Sequence, residues 1–128
     1  MNKMIKRLPD SELEIMMIIW EAKEPVTSAF VSEKLKYKKV WKITSVLTFL
    51  ARLVDKGFLS STREGKVNIY SPLIGEQEYL ESESKSILEK LYGNSLTNFV
   101  NALYNSKAIS EEDITELRQF IDKASKGE

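Results

Sequence analysis

The stretch that decides the fold is Trp41–Leu73, WKITSVLTFLARLVDKGFLSSTREGKVNIYSPL. It opens on a helical pattern in which Val46, Leu50, Leu53 and Val54 fall at i, i+4, i+7 and i+8 and so share one face. Gly57 stands where a helix ending near Lys56 calls for a left-handed C-cap. Two β-prone runs follow at once, Phe58–Thr62 and Val67–Ser71, with Val67, Ile69 and Ser71 alternating against Asn68 and Tyr70. Between them lies Arg63-Glu64-Gly65-Lys66, where Glu64-Gly65 is expected to make the turn because glycine readily supplies a positive φ. An isolated hairpin is marginal in water, so this one must lean on helices. The stretch reads as a reading helix followed by a basic wing.

Upstream, Ser11 with Glu14 has the spacing of a capping box, followed by Leu13, Met16, Met17 and Trp20 at helical steps. That Met and Trp stripe is expected to be buried packing rather than a ligand pocket. Pro25-Val26-Thr27 interrupts the pattern, and Thr27 is a good N-cap for a short second helix carrying Phe30, Val31 and Leu35. A basic, aromatic-bearing connection, Lys36 to Trp41, leads into the third helix.

The side of that third helix opposite its apolar face carries Thr44, Ser45, Thr48 and Arg52, flanked by Leu47 and Phe49. Short hydroxyl residues are poor choices for a merely solvated helix face. They suit a nucleic-acid groove, because they approach base edges closely and a Thr methyl can touch a thymine methyl. Charge points the same way. Met1–Leu73 holds 13 Lys plus Arg against 8 Asp plus Glu, whereas the remainder holds 6 against 11, so the zero net charge conceals a basic front and an acidic back. Two solvated surfaces of opposite sign would give the same count. Lys34–Lys66 alone contains nine basic residues (Lys34, Lys36, Lys38, Lys39, Lys42, Arg52, Lys56, Arg63 and Lys66) and only Asp55 and Glu64 as acids. A phosphate backbone would be drawn to such a surface. The candidate DNA-binding set is Lys42, Thr44, Ser45, Leu47, Thr48, Arg52, Arg63 and Lys66.

Pro72 ends the second strand, and Leu73–Gly75 marks a domain boundary. Beyond it are expected a helix over Glu76–Leu91, a break at Gly93-Asn94, a helix over Ser95–Tyr104, and a last helix after Ser110, whose Glu111, Glu112 and Asp113 favour the positive end of its dipole. Leu88, Leu91, Tyr92, Leu96, Phe99, Val100, Leu103, Ile114, Leu117, Phe120 and Ile121 are more apolar surface than so small a helical domain can hide. Burial against an identical copy resolves this, and folding back on the front domain is the alternative. All but Ile114 are taken as the dimerisation set. The fold expected is therefore mainly α with a small β-hairpin wing: an N-terminal winged helix-turn-helix domain over 1–73 and a C-terminal three-helix dimerisation domain over 74–128.

Composition narrows the chemistry. A chain of 128 residues without cysteine or histidine has no disulfide, no thiolate or imidazole metal site, and no Ser-His or Cys-His catalytic arrangement. No acid–base pair or phosphate-cradling glycine loop stands out, so neither an enzyme nor a cofactor or metal is expected. No run is apolar enough to span a bilayer and Met1–Arg7 leads into no signal-like core, which places the chain in the cytoplasm as an expectation.

These features together resemble the BlaI/MecI/CopY group of bacterial penicillinase repressors, over essentially the whole length. The likeness rests on Ser11-Glu12-Leu13-Glu14 with Ile18-Ile19-Trp20, on Trp41, on Thr44 through Gly57, and on Tyr70-Ser71-Pro72-Leu73. The resemblance implies a dimeric winged-helix repressor whose third helix enters the major groove while the hairpin lies over the neighbouring backbone. Thr48 and Arg52 match the group in residue type; Thr44 and Leu47 depart from the basic residues often found there. It further implies an operator of inverted TACA and TGTA half-sites. It also implies derepression through loss of the dimer by a sensor protease, with Asn98-Phe99 as the candidate cleavage bond, though displaced from the usual pattern relative to Ser95-Leu96. The thiolate copper switch of one branch is excluded by the lack of cysteine. A ligand-responsive winged-helix regulator and a winged-helix module for an acidic protein partner remain as alternatives.

Overall fold

The computed structural model describes residues 5–38 and 40–127, so Lys39, one of the basic run, lies outside the described residues. The chain forms α1 (Asp10–Ala22), β1 (Val26–Thr27), α2 (Ser28–Leu35), α3 (Ile43–Asp55), β2 (Leu59–Glu64), β3 (Val67–Pro72), α4 (Glu76–Tyr92), α5 (Leu96–Asn105) and α6 (Glu111–Ser125). Two compact units result, one through Glu83 and one from Ser84.

In the first unit α1 begins two residues earlier than its Ser11-Glu14 spacing suggests. Pro9 is the N-cap, with φ −59°, and its carbonyl accepts from the Leu13 N–H at 2.9 Å. Proline presets the helical φ and has no N–H to leave unpaired, so the helix is under way before Ser11 and no side-chain cap forms. Of the expected stripe Met16 and Trp20 are buried, Leu13 is half-buried and Met17 is exposed, while Ile15, Ile18 and Ile19 complete the buried side. At α2 the Thr27 Oγ1 accepts from the Phe30 N–H at 3.1 Å, the cap expected of it.

Helix α3 buries Val46, Leu50 and Leu53 completely and Val54 in part. Its end is a Schellman motif: the Gly57 N–H donates to the Val54 carbonyl at 3.0 Å and the Phe58 N–H to the Leu53 carbonyl at 2.9 Å. Gly57 sits at φ +83°, a conformation that costs a residue with a Cβ about 1–2 kcal/mol. The reversal drops Phe58 straight into the core.

The sheet has three antiparallel strands in the order β1-β3-β2. Strands β2 and β3 pair from Leu59 opposite Pro72 to Glu64 opposite Val67. The loop is therefore Gly65-Lys66 rather than Glu64-Gly65. Gly65 alone takes positive φ, at +63°, which is the requirement of a type II′ hairpin with glycine first. In β3 the buried side chain is Tyr70, while Val67 is exposed. The second strand thus faces the core with its Asn68–Tyr70 phase. Strand β1 pairs Val26 with Tyr70 and Thr27 with Ile69, closing the root of the hairpin against the helices.

The first unit runs past the Leu73 boundary expected from sequence, because Ile74 and Tyr79 belong to its core. The Trp20 indole N–H donates to the Ile74 carbonyl at 2.9 Å, and the Leu8 N–H donates to the Tyr79 hydroxyl at 3.0 Å. The Tyr79 ring lies 5.8 Å from both Trp20 and Phe58. These contacts tie the start of α4 to α1 and to the turn that follows α3.

The second unit comprises the rest of α4 with α5 and α6. Ser110 caps α6 as the sequence suggests and forms a complete capping box with Asp113, while Ser95 is the N-cap of α5, its Oγ accepting from the Asn98 N–H. Tyr92 stacks on Phe99 at 5.0 Å, and the Tyr104 hydroxyl donates to Glu111 Oε1 at 2.9 Å. No residue of α5 or α6 is buried.

Candidate nucleic-acid interface

The outward side of α3 is built by its inward side. Once Val46, Leu50 and Leu53 are sunk in the core, the helical period presents Thr44, Thr48 and Arg52 to solvent, with Ser45 at the margin. Thr44, Ser45, Thr48, Phe49 and Arg52 together line a shallow hollow of about 200 Å³. The Thr48 hydroxyl donates to the Thr44 carbonyl one turn back, at 2.9 Å. Its proton is thereby committed to the helix, and what it offers outward is a methyl group and an acceptor oxygen. The Arg52 guanidinium lies 5.8 Å from the Phe49 ring centre, and Phe49 is braced edge-on against Trp41 at 5.3 Å. The arginine is thus propped on an aromatic pair that is itself anchored on the core.

Lys42 is the N-cap residue of α3, with extended backbone and an exposed side chain. Lys66 lies in the hairpin loop and Arg63 just before it, where Arg63 Nε donates to the Gly65 carbonyl at 3.1 Å. Among the described residues no acid forms an ion pair with Lys42, Arg52, Arg63 or Lys66. Four cations that meet no acid among the described residues suit an external polyanion.

Two lysines of the basic run are otherwise engaged. Lys36 pairs with Glu33 at 2.8 Å, and Lys56 turns inward to Glu12, whose side chain is buried. Sequence proximity made Lys56 look like part of the basic surface; its partner is 44 positions away and gave no local signal. Ile43 and Ala51, exposed at four-residue steps on either side of Leu47, were not singled out from sequence. Helical projection from Leu47 is the signal that would have found them.

Of the dimerisation set, Leu91 is 70% exposed and Phe120 66%, with Leu96 and Ile121 also exposed. Leu88, Tyr92, Phe99, Val100, Leu103 and Leu117 are half-buried. Among the described residues no group of His, Cys, Asp and Glu could hold a metal ion, and no helix is long and apolar enough to cross a membrane.

Comparison with known proteins agrees over most of the chain. Residues 8–123 match the model of the penicillinase repressor family. The penicillinase repressor of Bacillus licheniformis is 34% identical over 121 residues, which is 94% of each chain. The methicillin resistance regulatory protein MecI of Staphylococcus aureus is 26% identical over 123 residues, 96% of this chain and 99% of that one. Among solved structures, the DNA-binding domain of the repressor BlaI superposes with a TM-score of 0.52 at 35% identity, covering 61% of this chain and 94% of that domain. The monomeric form of Bacillus licheniformis BlaI in complex with the blaP half-operator gives 0.51 at 34%, covering 59% and 92%. The front of the chain is accordingly a winged helix.

Proposed function

The chain belongs to the penicillinase repressor family, and on that premise we propose that it is a sequence-specific repressor that binds duplex DNA as a homodimer. The observation that carries this is the outward face of α3, where Thr44, Ser45, Thr48 and Arg52 line one hollow and Lys42 and Arg52 meet no acid among the described residues. The width of a major groove admits such a helix, and the wing cations Arg63 and Lys66 serve the flanking phosphates. A solved relative engages a half-operator as a monomer, which supports one half-site per chain.

The exposed Leu91, Leu96, Phe120 and Ile121 supply the surface for a second copy. With two-fold symmetry, two reading helices meet an inverted repeat of half-sites about one helical turn apart, of the TACA and TGTA type. Weak binding by one chain becomes strong binding by two, so losing the dimer releases the operator. Asn98-Phe99 is the proposed scissile bond for a sensor protease. It lies in the first turn of α5, with the Asn98 N–H held by Ser95 Oγ and Phe99 stacked on Tyr92, so cleavage requires that turn to open.

Electrophoretic mobility shifts with duplexes from the chain's own promoter region test the reading. Complexes of dimer size that weaken steeply with salt and outlast scrambled competitor are expected; equal competition by scrambled duplex would refute it. A fragment ending at Asn98 after exposure to the sensor protease tests the cleavage bond, and an intact chain in derepressed cells would exclude it.

A further inference from the structure

The outward face of α3 carries an apolar stripe left about half open to solvent. Ile43 is 47% exposed and Leu47 42%, and Ala51, one turn further on, is exposed as well. The three stand at four-residue spacing and so form one row along the helix. Beside them runs the row Thr44, Thr48 and Arg52. Half-exposed branched aliphatic side chains on a solvated face are a liability unless something apolar meets them.

The hydrogen-bonding capacity of the same face is meagre. The Thr48 proton is spent on the Thr44 carbonyl, leaving Arg52 as the one long donor on α3 beyond its N-cap. There is no Asn or Gln to pair with adenine on this helix. Arg52 suits guanine, whose O6 and N7 accept a guanidinium in bidentate fashion. Only one feature of a major groove is apolar, the C5-methyl of thymine. The unpaired cations Lys42 and Arg52 on the same helix favour a polyanionic occupant over an apolar protein surface.

We propose that Leu47, with the Thr48 methyl and Ile43 beside it, reads thymine by contact with its 5-methyl group, making Leu47 a specificity-determining residue. This rests on the duplex-DNA reading above. Each half-site then divides its recognition between a guanine read by Arg52 through hydrogen bonds and one or more thymines read through methyl packing.

The full-length protein is used to select its preferred duplex from a random pool, and that duplex is remade with deoxyuridine in place of thymidine. Deoxyuridine keeps every Watson–Crick and groove hydrogen bond and lacks only the methyl. Binding about fourfold weaker for each contacted thymine is expected, the value of one buried methyl group. Leu47→Ala, at an exposed position and therefore unchanged in thermal melting, should markedly narrow the preference for the thymidine over the deoxyuridine duplex, leaving only what the Thr48 methyl and Ile43 supply; an unchanged preference overturns the role of Leu47. Arg52→Ala should weaken both and preserve their ratio. Selective binding that is indifferent to deoxyuridine overturns methyl reading and leaves the duplex-DNA reading intact. Failure of any sequence to emerge from the pool overturns both.

Discussion

Lys56 Nζ lies 2.5 Å from Glu12 Oε1, joining the C-cap residue of α3 to the first turn of α1. The Glu12 side chain is 3% exposed and that of Lys56 27%, so the carboxylate is deep in the unit while the ammonium retains some water. A buried pair contributes little net stability over an apolar replacement, but halving it strands a charge. Lys56→Met is therefore expected to lower unfolding free energy by about 3 kcal/mol, the low end for a broken buried pair. Glu12→Leu together with Lys56→Met should recover most of that. Urea denaturation of the three proteins checks this; additive losses in the double variant would refute the coupling.

The cations of the candidate interface should separate into two kinds. Arg52→Ala is expected to cost about 1–3 kcal/mol on the preferred duplex and to relax selectivity, as loss of a base contact does. Arg63→Ala and Lys66→Ala should weaken every sequence alike and each flatten the salt dependence by about one phosphate. Titrations at several salt concentrations distinguish them, and an Arg52 variant of unaltered selectivity would remove it from base reading.

Tyr79 predicts the alkaline limit of the first unit. Burial is the main reason that its phenol ionises above the ordinary value of 10.0; Glu83 adds to this, while the Leu8 N–H and Arg7 oppose it. An acid whose folded pKa is raised binds its proton more tightly when folded. Its stabilising contribution is whole below pH 10.0 and is lost as pH rises through the higher folded value. Tyr79→Phe should flatten that decline, at a neutral-pH cost of about 1–3 kcal/mol for the stranded Leu8 N–H. Urea midpoints followed from neutral to strongly alkaline pH measure both.

Leu91 and Phe120 give the sharpest test of self-association, being the most exposed of the dimerisation set. Leu91→Glu with Phe120→Glu should sediment as a monomer with unchanged helix content. Its affinity for an inverted repeat should fall about 100-fold or more, the scale of a lost bivalent advantage. A variant that still sediments as a dimer would move the interface elsewhere.

Local chemistry explains which elements were legible before the structure. The α3 face, the Gly57 stop and the caps at Thr27 and Ser110 depend on neighbours within a turn, so the residues announce them. The hairpin was legible too, although only pairing shows that Gly65-Lys66 is the loop and that Tyr70 faces inward. Strand β1 escaped because two residues carry no period of their own and become a strand only beside Tyr70 and Ile69. Distance in sequence hid the Glu12–Lys56 pair and the burial of Tyr79 over Leu8. At the candidate site the hydroxyl row followed from helical spacing. The inward turn of Lys56 did not.

Thr27 belongs to two elements at once: its backbone sits in register with Ile69 of the hairpin, and its side chain holds the first turn of α2. A hairpin pressed or lifted at its tip therefore pulls on a joint that α2 shares. Either the helix rides with it as one lever, or the Oγ1 bond to Phe30 gives way and the helix frays from its first residue.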